Sequence, residues 1–113
     1  DMAGIEAGIN TDFDQIVIQS GVPVLVDFYA DWCGPCKAQT PILAELSGIY
    51  DGRIKFVKVD IDVEGNEELA TKYGVVSVPT LILFNHGEIL DTAAGITSKS
   101  TLEEKFRKIL SEQ

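Results

Sequence analysis

Apolar runs and helical periodicities alternate along the chain and predict nine secondary-structure elements. The run Val24–Ala30 is apolar at almost every position, which is typical of a strand buried on both faces of a sheet. Phe13, Ile16 and Val17 are spaced i, i+3 and i+4, which indicates one face of a helix. The predicted order is βαβαβαββα, with strands at 3–9, 24–30, 54–60, 80–84 and 88–94 and helices that start near Thr11, Cys33, Glu67, and Ser98 or Ser100.

The order of these elements predicts how the strands pair. Strands joined through helices pair in parallel, whereas the last two strands flank the turn Asn85–Gly87 and form an antiparallel hairpin. The length of 113 residues is within the usual size of one domain. We therefore predict an α/β fold with a single domain, 1–113, in which one mixed sheet lies between helices.

Polar residues mark the expected starts of the helices, because their side-chain oxygens accept hydrogen bonds from N–H groups of the first turn. Thr11 and Asn66 are the expected caps of the first and third helices. For the last helix, Ser98 and Ser100 both fit, and Ser100 would form a capping box with Glu103.

The net charge and the hydropathy of the chain limit the kinds of partner and the cellular locations that we expect. Nine Lys and Arg stand against 18 Asp and Glu, so the formal net charge is −9. Such a chain repels phosphate backbones, and we expect no nucleic-acid partner. No stretch approaches the ~18 apolar residues of a membrane span, and Asp1–Gly4 lacks the features of a signal peptide. We expect a cytoplasmic protein with no membrane contact; a plastid or mitochondrial protein trimmed of its transit segment would look the same.

The two cysteines of the chain, Cys33 and Cys36, lie where the central strand gives way to a helix. A thiol reacts as its thiolate, and unpaired N–H groups at a helix N-terminus would stabilise that anion on Cys33. Cys36 lies one turn later on the same side of the helix. We predict that Cys33 attacks a substrate disulfide and that Cys36 resolves the mixed disulfide.

The residues around the cysteines suit this exchange. Gly34 leaves space above the sulfur for another chain, and Pro35 has a preset φ and no N–H that needs a partner. Trp32 offers a flat apolar wall, unless it fills the core instead.

A carboxyl group lies within the predicted central strand. Burial of Asp27 would raise its pKa, which suits a proton acceptor for Cys36. Lys58 on the neighbouring strand is the expected counter-charge, and its positive charge would lower the pKa of Asp27. The sequence leaves open whether burial or this charge has the larger effect on the pKa. The alternatives are an exposed acid at Asp27 and an ordinary surface lysine at Lys58.

Two other uses of the cysteines are less favourable. A disulfide that closes so short a loop adds only ~2 kcal/mol of stability, so it would be a poor staple. A metal site needs about four ligands, whereas His86, the single histidine, lies in a predicted turn remote from Cys33. We therefore expect no metal.

For Val78–Pro79, general X-Pro statistics favour a trans bond.

The chain resembles the thioredoxin family over nearly its whole length. The matching residues are Val24–Lys37, which contains the sequence WCGPC, then Pro41, Lys58–Asp60, Tyr73–Val75, Val78–Thr80, Asn85–Glu88 and Gly95. The resemblance implies the thioredoxin fold, with five strands in the order 1-3-2-4-5 and four helices on the two faces of the sheet. It also implies protein-disulfide reductase activity, a cis Val78–Pro79 bond packed against the cysteines, and roles for Asp27 and Lys58 as the buried carboxylate and its neighbour.

The same resemblance implies partners and a substrate groove. Expected partners are disulfide-containing proteins and a thioredoxin reductase, and we expect a monomer that needs no cofactor beyond a reversible Cys33–Cys36 disulfide. The groove residues that it implies are Trp32, Gly34, Pro35, Ser77, Val78, Pro79, Gly95 and Ile96.

Some positions depart from the usual pattern of the family. Tyr29 stands where many members have tryptophan, Val76–Ser77 replaces a commoner Arg-Gly, and the first strand is rich in glycine. Two other functions stay open as alternatives: a disulfide oxidase or isomerase, which more often carries His between the cysteines, and a binding subunit that uses the groove without turnover.

Overall fold

The computed structural model of the chain describes residues 5–7 and 11–113. The strands in this part of the chain are β1 (Ile5–Ala7), β2 (Val24–Tyr29), β3 (Lys55–Asp60), β4 (Thr80–Asn85) and β5 (Glu88–Ala94). The helices are α1 (Gly34–Ile49), α2 (Asn66–Lys72) and α3 (Lys99–Ser111), preceded by a short, wide helical turn at Asp14–Ile18. The predicted succession of elements is confirmed; the rest of the predicted strand 3–9 lies outside the described residues.

The strands form one mixed sheet in the order β1-β3-β2-β4-β5. β3 is parallel to both β1 and β2, whereas β4 is antiparallel to β2 and to β5. Four strands carry the sheet, and the three-residue β1 adds a short fifth strand at its edge. This is the α/β thioredoxin fold with the strand order that the resemblance implied.

The turn between β4 and β5 explains the antiparallel pairing of the last two strands. His86 has φ 52° and Gly87 has φ 78°, and Asn85 pairs with Glu88 across the turn. Positive φ at both central residues matches the right-handed twist of the two strands. The predicted hairpin is therefore confirmed.

The core consists of two apolar layers, one on each face of the sheet. On one face, Val26 and Phe28 of β2 pack with residues of α2 and of the turn Asp14–Ile18. On the other face, Leu25 packs with side chains of α1 and α3. Every residue of Val24–Phe28 is buried, so β2 is covered on both faces as its apolar run predicts.

Two of the predicted helix caps are wrong. The first helical turn starts at Asp14 after Phe13, and no side chain caps it, so Thr11 is not its cap. Gly65 precedes α2, and Asn66 is a buried residue inside the helix whose side chain donates a 2.9 Å hydrogen bond to the Asp60 carbonyl. This hydrogen bond connects the start of α2 to the end of β3.

At the last helix, the structure decides between the two serines. The Ser98 side chain accepts a 3.2 Å hydrogen bond from the Thr101 N–H, and Ser100 lies inside α3.

None of the helices in the described part of the chain has the length and apolar character needed to cross a membrane.

Replacing Phe106 by alanine is expected to destabilise the protein by about 3–5 kcal/mol, because it leaves a cavity between α3 and the sheet. Phe106 is fully buried and makes edge-to-face contacts with Tyr50 and Phe56. The free energy of unfolding in urea measures this loss. The neighbouring exposed residue Arg107 is the control, and its replacement by alanine should change stability by less than about 0.5 kcal/mol.

Candidate active site

Three loops meet at one end of the sheet, and the cysteines lie among them. The antiparallel register puts the start of β4 beside the end of β2 and the end of β5, since Thr80 pairs with both Phe28 and Ala94. The segments that follow β2, precede β4 and follow β5 are therefore neighbours. These segments carry all of the predicted site residues except Asp27 and Lys58, which lie within strands.

Cys33 and Cys36 form a disulfide, with their Cα atoms 5.3 Å apart. Cys33 is the N-cap of α1, and its Sγ accepts a 3.1 Å hydrogen bond from the Cys36 N–H. Pro35 lies in the first turn and has no N–H to satisfy. A negative charge on this sulfur is stabilised by the N–H group and by the positive end of the helix dipole.

The Val78–Pro79 peptide bond is cis, as the resemblance implied and against the general statistics for X-Pro bonds. Val78 packs on the cluster of Ala30, Cys33 and Cys36, and its carbonyl oxygen lies 3.6 Å from the Cys33 Sγ. The loop before β4 therefore forms one wall of the site.

A shallow groove of about 350 Å³ opens beside the disulfide. Trp32 is 69% exposed at its edge, and the indole N–H donates a 2.8 Å hydrogen bond to Asp62. The alternative that Trp32 fills the core is therefore wrong. The groove is lined by Trp32, Ile61, Asp62, Glu67, Ala70, Thr71, Val75, Val76, Ser77 and Val78.

The structure brings only some of the predicted groove residues together in this groove. Trp32, Ser77 and Val78 line it, and Gly34 and Pro35 are exposed next to Trp32 in the chain. Pro79 is buried, and its carbonyl accepts a 2.8 Å hydrogen bond from the Gly95 N–H. Gly95 and Ile96 thus lie along the Val78–Pro79 loop and not in the groove itself, and Ile96 is half-exposed.

Asp27 is a buried carboxyl on the face of the sheet that α1 covers. It is 1% exposed, so the alternative of an exposed acid is wrong. Neither of its oxygens receives a hydrogen bond from the residues that the structure describes. Burial raises the pKa of Asp27 to about 6, and the charge of Lys58 opposes this shift only in part. Desolvation is therefore the larger of the two effects that the sequence left open.

Lys58 is adjacent to Asp27 in the sheet register but binds other groups. Its ammonium donates a 3.2 Å hydrogen bond to the Thr40 hydroxyl and lies 4.1 Å from the centre of the Tyr29 ring. The Thr40 hydroxyl in turn donates to the Cys36 carbonyl at 3.1 Å. Lys58 is thereby connected to the first turns of α1, and this link through Thr40 was not predicted.

Gln39 is a second residue of the site region that the sequence analysis missed. Its side chain is fully buried and makes two hydrogen bonds with the backbone of Thr97. A signal was present, because Gln39 lies three residues after Cys36 and four before Leu43, both on the apolar face of α1. A glutamine on such a face needs polar partners.

No three His, Cys, Asp or Glu side chains within residues 5–7 and 11–113 are grouped closely enough to hold a metal ion.

The sequence profile of the thioredoxin family matches residues 5–108. "Thioredoxin 1" of Nostoc sp. is 44% identical over 101 residues, which are 89% of this chain and 92% of the relative. "Thioredoxin 1" of Synechococcus elongatus is 40% identical over 109 residues, which are 96% of this chain and 100% of the relative. "Thioredoxin M-type, chloroplastic" of Pisum sativum is 46% identical over 101 residues, which are 89% of this chain but only 58% of that relative.

Replacing Asp27 by asparagine is expected to stabilise the oxidised protein near pH 8 and to change it little near pH 4. The Asp27 pKa is 3.8 without burial and about 6 in the folded chain. Stability is therefore full below the lower value and is lost as the pH rises through the higher one, by up to about 3 kcal/mol. The free energy of unfolding in guanidinium chloride, measured at both pH values, checks this.

Asp31→Asn is the matched control, because Asp31 is an exposed carboxyl only four residues after Asp27 in the chain. It should change stability by less than about 0.5 kcal/mol at either pH. An equal gain for Asp27→Asn at both pH values would contradict the assignment of this carboxyl as the ionising group.

Proposed function

Since this chain belongs to the thioredoxin family and is a thioredoxin-type protein-disulfide reductase, we propose that Cys33 is its attacking thiol and Cys36 its resolving thiol. The observation that carries this assignment is the position of the Cys33 Sγ at the N-cap of α1, where it accepts the Cys36 N–H. A thiolate at that position is stabilised before any substrate arrives.

In the first step the Cys33 thiolate attacks one sulfur of a substrate disulfide. A bond forms between Cys33 and that sulfur, the substrate S–S bond breaks, and the second substrate sulfur leaves as a thiolate that takes up a proton. The Cys33 sulfur lies 3.6 Å from the carbonyl of Val78, a residue that lines the groove, which supports Cys33 as the thiol that meets the substrate.

In the second step Cys36 attacks the Cys33 sulfur. The Cys33–Cys36 disulfide forms and the first substrate sulfur leaves, so the substrate has gained two electrons and two protons. We propose Asp27 as the acceptor of the Cys36 proton, because its carboxyl lies on the sheet face under α1 and its pKa of about 6 is raised towards neutrality by burial. Lys58 stabilises the ionised carboxylate from the adjacent strand.

We further propose that a protein substrate lies along the groove and the Val78–Pro79 loop. The Trp32 and Val76 side chains are 69% and 96% exposed. Covering so much apolar surface with a partner is favourable, because it removes that surface from water. The proposed contact residues are Trp32, Gly34, Pro35, Ser77, Val78, Pro79, Gly95 and Ile96.

The partners and the setting are also proposals. A thioredoxin reductase would return two electrons to the Cys33–Cys36 disulfide, which serves as the redox group with no added cofactor. We propose a monomeric single domain, 1–113, in a reducing cytoplasmic compartment or in a plastid, with no nucleic-acid partner because of the net charge of −9. One relative in pea is named as chloroplastic and another occurs in Nostoc.

Reduction of insulin with dithiothreitol as the electron source tests the two thiol roles. Cys33→Ser should lower the rate to that of dithiothreitol alone, because no nucleophile remains at the N-cap. Cys36→Ser that has been reduced and then freed of dithiothreitol should instead form a covalent adduct with insulin that is detectable by mass spectrometry, because no thiol resolves the mixed disulfide. His86→Ala, in the turn at the opposite end of β4, is the control and should keep full activity. An active Cys33→Ser variant would refute the assignment.

The reduction potential of the Cys33–Cys36 pair separates a reductase from an oxidase or isomerase. We expect a reduction potential below that of the glutathione couple, since a reductase must have the lower potential to convert substrate disulfides to dithiols. Equilibration with a dithiothreitol redox buffer, followed through Trp32 fluorescence, measures it. A value well above the glutathione couple would favour disulfide donation instead. A binding subunit would be indicated if partner binding survived replacement of both cysteines and no reductase activity were found.

A further inference from the structure

The segment Gly95–Thr97 joins β5 to α3 and is held at both ends by hydrogen bonds. At one end the Gly95 N–H donates to the Pro79 carbonyl at 2.8 Å. At the other end the Thr97 N–H donates to the Gln39 side-chain oxygen at 2.8 Å, and the Gln39 amide donates back to the Thr97 carbonyl at 3.1 Å. Ile96, between the two ends, is 51% exposed. An exposed apolar side chain is thus mounted on a fixed backbone.

Gln39 suits this position because its amide carries both a donor and an acceptor. Its side chain is 0% exposed and Thr97 is 8% exposed, so water does not replace these bonds. An apolar residue at position 39 would leave both backbone groups of Thr97 unpaired, and an unpaired buried polar group is costly. The glutamine therefore determines where the segment lies against α1.

The segment also lies close to the redox pair. Gln39 is three residues after Cys36 on the same buried face of α1. The Gly95 N–H is bonded to Pro79, and the Val78 carbonyl before it contacts the Cys33 sulfur. Ile96 is therefore held between the helix that carries the cysteines and the loop that contacts them.

We propose that Gln39 is a positioning residue, which through Thr97 holds Ile96 in place to contact protein substrates of the dithiol. The proposal rests on the proposed function, in which protein substrates lie against this end of the molecule. A side chain that is already ordered loses less entropy on binding than one on a mobile loop. Gln39 thus acts on substrate binding and leaves the sulfur chemistry unchanged.

Two disulfides of different size separate these effects. Reduced wild-type protein and Gln39→Leu are mixed, in single-turnover reactions, with insulin or with dithiobisnitrobenzoate, which is too small to span the segment. For insulin, we expect the second-order rate constant to fall about tenfold in Gln39→Leu, because misplacing a positioning contact is costly. For the small disulfide, we expect a change of less than about twofold.

A double-mutant cycle with Ile96 tests the route of the effect. In an Ile96→Ala background, Gln39→Leu should no longer slow insulin reduction, because the side chain that it positions is gone. Ser47→Ala is the control, since Ser47 is a buried polar residue of the same helix that is eight residues further along. It should leave both rates unchanged.

Gln39→Glu keeps the proposal testable if the leucine variant fails to fold. A neutral carboxyl offers one donor and one acceptor as the amide does, whereas a carboxylate repels the Thr97 carbonyl. The ratio of variant to wild-type rates for insulin should fall from near one at about pH 5 to about a tenth at about pH 8, with no such fall for the small disulfide. Asp27 and Lys58 on the sheet face and Lys99 after Thr97 are present in both proteins, so the ratio isolates residue 39.

Three results would overturn the proposal: an equal loss for both disulfides, a loss that persists in the Ile96→Ala background, or insulin reduction by Gln39→Leu as fast as by wild type. A wild-type protein no faster than Cys33→Ser would refute the proposed function itself. The two failures are therefore distinguishable.

Discussion

Strand β2 is hydrogen-bonded along both edges and covered on both faces, and the position of the active site follows from this. β3 and β4 pair with it on either side, and its residues Val24–Phe28 are all buried. A strand so enclosed has one position and one direction within the fold. The chain that leaves this strand therefore places Cys33 at the end of the sheet, where α1 begins. The cysteine chemistry depends on this placement, because the N-terminus of a helix stabilises a thiolate only within the first turn.

The same enclosure explains the properties of the polar groups beneath the site. Asp27 belongs to β2 and shares its burial, so the carboxyl is desolvated and its pKa is raised to about 6. Because the carboxylate form is disfavoured by burial, this carboxyl lowers the stability of the folded chain as the pH rises through its pKa. Lys58 is held by Thr40 and by the Tyr29 ring, close enough to moderate the carboxyl charge without a hydrogen bond to it. Both groups therefore lie at the contact between the sheet and α1.

Two loops complete the site, and each is fastened to the rest of the molecule by hydrogen bonds. The Thr80 hydroxyl donates to the Ser77 carbonyl at 2.7 Å, which ties the loop before β4 to the start of that strand. The segment after β5 is fastened to Pro79 and to Gln39. Loops fastened in this way would lose little entropy if a partner bound to them.

The sequence by itself determined the features that depend on neighbours along the chain. The nearly unbroken apolar run of β2 indicated a strand buried on both faces. The Asn85–Gly87 turn indicated the hairpin, since Gly87 adopts a positive φ without steric cost. The spacing of Cys33 and Cys36 at a strand-to-helix junction indicated the redox pair, which the structure shows as a disulfide. Likewise, Asp27 stood out because a single acid in an apolar run must share the burial of its neighbours.

Only the tertiary structure decided which partners the buried polar groups take. Asn66 satisfies the Asp60 carbonyl and does not cap α2, and Lys58 binds Thr40 in preference to Asp27. Gln39 and Thr97 are 58 residues apart in the chain, so no local pattern connects them. The physical reason is that a helix or strand forms from interactions within a few residues, whereas the partner of a buried donor or acceptor depends on which distant segments the fold brings into contact.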